Sequence, residues 1–196
     1  MINQTLRRSG DYSSISAAEN ARYETRFYSR IKGGYYSNDP NARGISKSVR
    51  TNNPGALNFS GWQKRIKDFV GLTRADRWGN RTTIYATPES GVAAWLHLIR
   101  YRYKNGRSGA LKITDLARHY AGGRKVSEKS VEKYIRGWTR WSEGNINEQS
   151  VVRLDDCHHL LRLARAVFAH EAGHISPLND SQIFYGINNH TFLLRG

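Results

Sequence analysis

Only one stretch of this sequence has the composition of β structure, and that stretch is too short for a large sheet. Residues 52–86 contain the turn signals Asn-Pro-Gly, Gly-Trp and Trp-Gly-Asn between short pieces such as Thr82-Thr-Ile-Tyr85. Apolar residues recur at helical spacing on both sides of this stretch. The sequence therefore predicts a mainly α (α+β) fold, in which a helical domain carries one small β-hairpin or three-stranded lobe.

The predicted helices are marked by their ends as well as by their apolar stripes. Thr87-Pro88-Glu89 places a capping side chain before a proline in the first turn, which predicts the start of a core helix. The last clear helix is predicted to start near Asp155 and Asp156, whose charges suit the helix dipole, and to end before Gly173. Glu171 continues the apolar stripe of that helix.

The first 45 residues are predicted to form an extension to a main domain at residues 46–196, because a chain of 196 residues suits one hydrophobic core. Ser16-Ala-Ala-Glu19 has the spacing of a capping box, which predicts one helix from about Ser16 to Lys32. The N-terminus lacks the apolar stretch of a secretory signal, and no run approaches a membrane span. We expect synthesis in the cytoplasm without a cleaved signal.

The charge of the chain indicates a polyanionic partner. Lys and Arg number 31 against 16 Asp and Glu, a formal net charge of +15, which attracts nucleic acid, anionic lipid or the anionic polymers of a bacterial wall. Cys157 is the only cysteine, so an intramolecular disulfide and a cysteine-based structural zinc site are both excluded. We interpret Cys157 as a packed residue rather than a nucleophile.

Glu171 is the candidate for acid catalysis. Cleavage of a glycosidic bond needs a carboxylic acid that is still protonated near neutral pH, and burial against apolar groups raises a glutamate pKa in that direction. Glu171 follows Val167 and Phe168 on one stripe, and Gly173 lets the backbone turn away. A helix-terminal glutamate that faces solvent or pairs with an arginine fits the same pattern equally well.

Four segments together carry a resemblance to a known family, across roughly Ser46 to Gly186. They are Arg50-Thr-Asn-Asn-Pro-Gly-Ala-Leu-Asn-Phe59, Gly61-Trp62, Ile84-Tyr-Ala-Thr-Pro-Glu-Ser-Gly-Val-Ala-Ala-Trp95 and His170-Glu-Ala-Gly173. This set resembles small phage virion and endolysin-like proteins of the lysozyme superfamily, which are built around Arg-Asn-Asn-Asn-Pro-Gly-Asn and close with His-Glu-Asn-Gly. The chain departs from that pattern at Thr51, Ala56 and Ala172, and shows Gly122-Gly-Arg-Lys125 in place of an acidic Pro-Pro-x-Glu-Asn segment.

The resemblance implies a circularly permuted lysozyme-like fold with Glu171 beside Asn52 and Asn53. The order of motifs is similar to flagellar and autolysin glucosaminidases, except that their catalytic helix precedes the Asn-Asn pair. The implied activity is cleavage of peptidoglycan glycan strands by a muramidase, glucosaminidase or lytic transglycosylase that needs no metal or other cofactor. Such an enzyme would reach the periplasmic cell wall through phage or secretion-mediated delivery, and a cognate inhibitor or immunity protein is a candidate partner.

The predicted substrate-binding residues are Asn52, Asn53, Trp62 and Tyr85. Paired amides suit the N-acetyl groups of a sugar chain, and the aromatic rings suit sugar faces, as would Trp78. Turn geometry explains the asparagines equally well, and core packing explains any single aromatic residue.

Three carboxylates compete with or complement Glu171 in the sequence. Glu24 is an alternative acid, because it shares a helical face with Phe27 and precedes the Asn-Asn pair. Asp68 and Asp76 are candidates for a second carboxylate that positions water, with solvent exposure as the simpler interpretation.

Two other functional classes remain open from sequence. His170-Glu171-Ala-Gly-His174 matches the His-Glu-x-x-His pattern of zinc hydrolases, but Gly173 predicts that the helix stops before His174. His190 is available as a third ligand, although no pattern in the sequence predicts that role. A nucleic-acid-binding or virion structural protein would explain the basic charge, although no recognition motif supports that alternative.

Overall fold

The computed structural model describes residues 46–73, 75–103, 109–122, 126–173 and 178–193. The predicted N-terminal helix and Glu24 lie outside these residues, as does His174. The chain forms seven α-helices and four strands within the described ranges. In chain order they are α1 (Lys47–Arg50), β1 (Phe69–Leu72), β2 (Thr83–Tyr85), α2 (Pro88–His97), β3 (Ala110–Lys112), α3 (Ile113–Ala121), α4 (Glu128–Trp141), β4 (Val151–Arg153), α5 (Cys157–Ala172), α6 (Asp180–Asn188) and α7 (His190–Leu193).

The mainly α (α+β) prediction is confirmed, and so is the small hairpin within residues 52–86. β1 pairs antiparallel with β2, with Phe69 opposite Tyr85, and a bulge lies between Phe69 and Gly71. The expectation of a single β region is wrong, because β3 and β4 form a second antiparallel ribbon. Each of these two strands has only three residues, too few for an alternating pattern to stand out in the sequence.

The helix ends follow the capping chemistry that the sequence indicated. The Thr87 side chain accepts a hydrogen bond from the Ser90 N–H at 3.3 Å and so begins α2. Asp156 caps α5 by accepting from the N–H groups of His158 and His159 at 2.9 and 3.1 Å. Gly173 adopts the left-handed conformation, φ 77°, and ends α5 after Ala172.

Helix α5 lies at the centre of the core and packs against α1, α4 and α6. Its Phe168 ring meets the Trp95 ring of α2 edge-to-face at 5.1 Å, and both side chains are fully buried. The other helices pack mainly in the pairs α3 with α4 and α2 with α6. This arrangement holds the last turn of α5, which carries Glu171, inside the protein. No helix among the described residues is long and apolar enough to cross a membrane.

Candidate active site

Asn53 ties the Asn-Asn loop to the β lobe through every polar atom of its amide. Its Nδ2 donates to the carbonyl oxygens of Leu57 and Thr83, both at 3.0 Å, and its Oδ1 accepts from the Leu57 N–H at 3.0 Å. The side chain has no exposed surface. Asn53 therefore positions the loop and has no face with which to contact a sugar.

Asn52 fixes the same loop against α2. It adopts a left-handed backbone, φ 50°, and its Nδ2 donates to the carbonyl oxygens of Tyr85 and Ala86 at 2.9 and 3.3 Å. Its own carbonyl oxygen is so close to α2 that a Cβ on Gly91 would stand 2.1 Å from it. Asn52 and Tyr85 are both 0% exposed. The expectation that Asn52, Asn53 and Tyr85 contact substrate directly is thus corrected, because all three are buried supports.

Glu171 is a partly buried residue with one carboxyl oxygen that has no hydrogen bond within the described ranges. Its Oε1 is shielded from solvent and has no hydrogen bond from any described residue. Burial raises the pKa of Glu171 from 4.5 to about 7, while the Lys47 ammonium on α1 acts to lower it. A carboxyl with this pKa is about half protonated at neutral pH.

Two tyrosines surround Glu171. Burial, and then the nearby Glu171 carboxylate, raise the pKa of Tyr134 on α4 to about 12. The pKa of Tyr120 on α3 is also raised well above its usual value, by burial first and by Tyr103 and Glu171 in addition. Both phenols therefore keep their protons over the whole physiological range and can donate hydrogen bonds.

A cleft of about 230 Å³ opens between the β lobe and α3, next to this group. Its lining includes Gly55, Ser60, Trp62, Tyr103, His119 and Tyr120. A Cβ on Gly55 would stand 3.2 Å from the Tyr120 hydroxyl, so the Asn-Asn-Pro-Gly loop closely approaches that tyrosine. Tyr120 therefore lines the cleft and also lies within electrostatic range of the Glu171 carboxyl.

Trp62 is the one predicted substrate-binding residue that lines the cleft. Its half-buried ring lies 4.8 Å from the His97 ring, and the Arg102 guanidinium lies 5.4 Å from its centroid. Tyr103 and His119 add a second aromatic surface, since their rings stack at 4.0 Å with an interplanar angle of 11°. Sequence reasoning missed this stack. The only indication in the sequence that α3 contributes to a polar cleft was the hydroxyl of Tyr120 on an otherwise apolar helical stripe.

The two aspartates of the β lobe differ in their surroundings. Asp68 Oδ2 accepts from the Ser90 and Thr87 hydroxyls at 3.0 and 3.4 Å, so its carboxylate is engaged at the start of α2. Asp76 Oδ1 accepts from the N–H groups of Trp78 and Asn80, both at 2.9 Å, in an exposed turn.

Asp76 has an electrostatic neighbour in common with Glu171. Slight desolvation acts to raise the pKa of Asp76, but the N–H groups of Asn80 and Trp78 outweigh it and hold the pKa below its usual value. The Lys47 ammonium acts in the same direction on Asp76, and it also acts on Glu171. Lys47 thus lies within electrostatic range of Glu171, whose pKa is raised, and of Asp76, whose pKa is lowered.

The end of α5 does not supply the geometry of a His-Glu-x-x-His zinc site. That site needs the helix to continue so that two histidines share one face, whereas α5 ends at Ala172. The His170 ring packs on α4, 5.0 Å from the Tyr134 ring, and a Cβ on Gly137 would stand 2.1 Å from its Nδ1. Among the described residues, no group of three or more His, Cys, Asp or Glu side chains is arranged to hold a metal ion.

Comparison with protein-family models and with curated proteins found no match to this sequence.

Proposed function

We propose that this protein cleaves the glycan strands of bacterial peptidoglycan with Glu171 as the general acid. The observation that carries the proposal is a largely buried carboxyl whose Oε1 has no hydrogen bond from any described residue and whose pKa is raised to about 7. General acid catalysis of glycosidic cleavage requires a carboxyl that is protonated near neutral pH and is held in a fixed place. A structural carboxyl would instead be stabilised by an ion pair or by hydrogen bonds.

The cleft lined by Tyr120, whose hydroxyl lies within electrostatic range of Glu171, suits a sugar ligand. Trp62 and the Tyr103–His119 stack present aromatic surfaces on which sugar faces pack, and Ser60 adds a polar group. The buried asparagine pair holds the loop that forms one wall of the cleft, because their side-chain amides hydrogen-bond to the carbonyl oxygens of Tyr85 and Thr83 on β2. In this proposal the family-like Asn-Asn motif has a supporting role, and the aromatic residues bind substrate.

In the reaction, protonated Glu171 delivers its proton to the glycosidic oxygen as the bond to the leaving sugar breaks. Tyr120 and Tyr134, which both stay protonated, lie within electrostatic range of the carboxylate left behind. Lys47 keeps the pKa of Glu171 from rising further. Water or a hydroxyl of the sugar itself then completes the cleavage, giving hydrolysis or transglycosylation. Asp76 is the candidate second carboxylate, since its pKa is held low.

The proposed substrate agrees with the charge of the protein. A formal charge of +15 attracts the chain to the anionic polymers of a bacterial wall and raises the encounter rate. We propose the cell wall as the place of action, reached by phage or secretion-mediated delivery. An inhibitor that occupies the cleft is the corresponding candidate protein partner.

The test is loss of turbidity of purified peptidoglycan, compared between the wild type and Glu171→Gln. Glu148→Gln is the matched control, because Glu148 is an exposed carboxyl outside the site. We expect Glu171→Gln to lose at least about 100-fold in rate, the usual contribution of general acid catalysis, and Glu148→Gln to be unaffected. EDTA should change neither rate.

Three outcomes would redirect the proposal. Loss of activity in Glu24→Gln rather than in Glu171→Gln would move the acid to the N-terminal segment. Sensitivity to EDTA would favour a metal-dependent hydrolase. A wild type that leaves peptidoglycan intact over pH 5–8 would refute glycan cleavage.

A further inference from the structure

A second cavity, of about 570 Å³, lies between the C-terminal end of α4 and the outer face of α5. Its lining includes Arg140, Glu143, Arg162, Arg165, Ala169 and Leu178. Ala169 and Glu171 are two positions apart on α5, and successive helical residues turn by about 100°, so the two lie on nearly opposite faces of the helix. The cavity is therefore separate from the proposed active site, and that site does not account for it.

The charge of this cavity comes from arginines on two walls. Arg165 is held in place by Asp180, with its Nε 2.8 Å from Oδ1 and a second bond from Nη2 to Oδ2. Arg140 from α4 and Arg162 from α5 form no ion pair with any described residue. The Arg140 guanidinium lies 5.3 Å from the centroid of the Trp141 ring. Among the described residues that line the cavity, Glu143 is the only acidic one.

We propose that this cavity binds a small molecule that carries two or more oxyanion groups, such as a diphosphate or a polycarboxylate. Guanidinium groups present fixed pairs of donors that match phosphate and carboxylate oxygens. Arginines on opposite walls recognise a ligand with more than one such group better than a single oxyanion. Ala169 and Leu178 give the cavity an apolar floor for the body of the ligand. Its volume lies within the range of small-molecule sites.

The test is isothermal titration calorimetry at low ionic strength, with pyrophosphate, citrate and inorganic phosphate as probes. The double variant Arg140→Gln/Arg162→Gln removes the two unpaired guanidiniums and leaves the Arg165–Asp180 pair intact. Its control is Arg81→Gln/Arg136→Gln, which removes the same charge from exposed positions outside the cavity. We expect pyrophosphate or citrate to bind more tightly than phosphate, with at least a tenfold loss of affinity in the cavity variant and less than a twofold loss in the control.

Two results would overturn the proposal. One is the absence of saturable binding of pyrophosphate and citrate at millimolar concentration. The other is an equal loss of affinity in both double variants, which would assign binding to the general charge of the surface. The Glu171→Gln variant should bind the same probes as the wild type, so this test does not depend on glycan cleavage.

Discussion

Replacing Glu171 by Gln should stabilise the protein at alkaline pH relative to acid pH, as well as abolish its activity. Glu171 loses its proton near pH 4.5 in the unfolded chain but near pH 7 in the folded protein. Between these values the folded state binds a proton that the unfolded state has released, so the stability of the wild type falls as pH rises. Below pH 4.5 both states are protonated and the effect vanishes. Above pH 7 the full penalty for the buried charge is present.

The size of the effect follows from the shift in pKa. A shift from 4.5 to about 7 corresponds to about 3 kcal/mol at 1.4 kcal/mol per pH unit. This figure is an upper bound, because opening of the last turn of α5 would hydrate the carboxylate at lower cost. The glutamine amide leaves a buried polar group in the same place at every pH, which costs about 1–3 kcal/mol. The informative quantity is therefore the change between two pH values and not the stability at either one.

The assay is urea unfolding of the wild type and Glu171→Gln at pH 4 and pH 8.5. Other titrating groups are common to both proteins and cancel in the difference. The free energy of unfolding of the variant, relative to wild type, should rise by about 2–3 kcal/mol between the two pH values. Glu148→Gln should show no such rise. If the free energy of unfolding of the wild type and of Glu171→Gln changed equally with pH, the folded protein would not penalise the charged form of Glu171. The argument for a raised pKa would then be refuted.

Three further substitutions test the surroundings of the site. Gly91→Ala should lower the free energy of unfolding in urea by about 3 kcal/mol, because its Cβ would stand 2.1 Å from the Asn52 carbonyl oxygen. Gly61→Ala is the control, since its Cβ would have no heavy atom within 4 Å, and it should change the free energy of unfolding by less than about 0.5 kcal/mol. Tyr120→Phe should lower the rate of peptidoglycan cleavage by about tenfold and change the free energy of unfolding by less than about 1 kcal/mol. A fall in the free energy of unfolding with an unchanged rate would contradict a role of the Tyr120 hydroxyl in catalysis. Lys47→Met should let the pKa of Glu171 rise further, so that activity falls at higher pH than in the wild type, and a shift to lower pH would be inconsistent with the electrostatic role of Lys47.

Local chemistry made the long helices predictable from sequence. Thr87 and Asp156 act as N-caps, and Gly173 adopts the left-handed C-terminal conformation, so the ends of α2 and α5 follow from side chains within a few residues. The ribbon of β3 and β4 was not predictable in this way. It joins two three-residue segments that are about forty positions apart in the sequence. Their pairing depends on how the two helices that separate them along the chain, α3 and α4, pack together.

The site was predictable only where one helix determines it. Glu171 was predicted as the acid because it continues the apolar stripe of α5, and the structure shields its Oε1 from solvent, although its catalytic role stays a prediction. The supporting roles of Asn52 and Asn53 were not predictable from sequence, because each side-chain amide also binds a carbonyl oxygen on β2, about thirty residues away. The stack of Tyr103 and His119 was missed for the same reason, since it forms between two different elements.

The environment of Glu171 argues for function more strongly than its residue type does. Helices α1, α3 and α4 surround the end of α5 with one ammonium and two phenols, and burial dominates the pKa of the carboxyl despite that ammonium. A carboxyl in the core that served packing alone would be replaced by an apolar or amide side chain with a gain in stability above pH 7. Under the proposed function, the proton that Glu171 holds near neutral pH serves catalysis, so between pH 4 and pH 8.5 the Glu171→Gln variant should gain stability relative to the wild type while it loses activity.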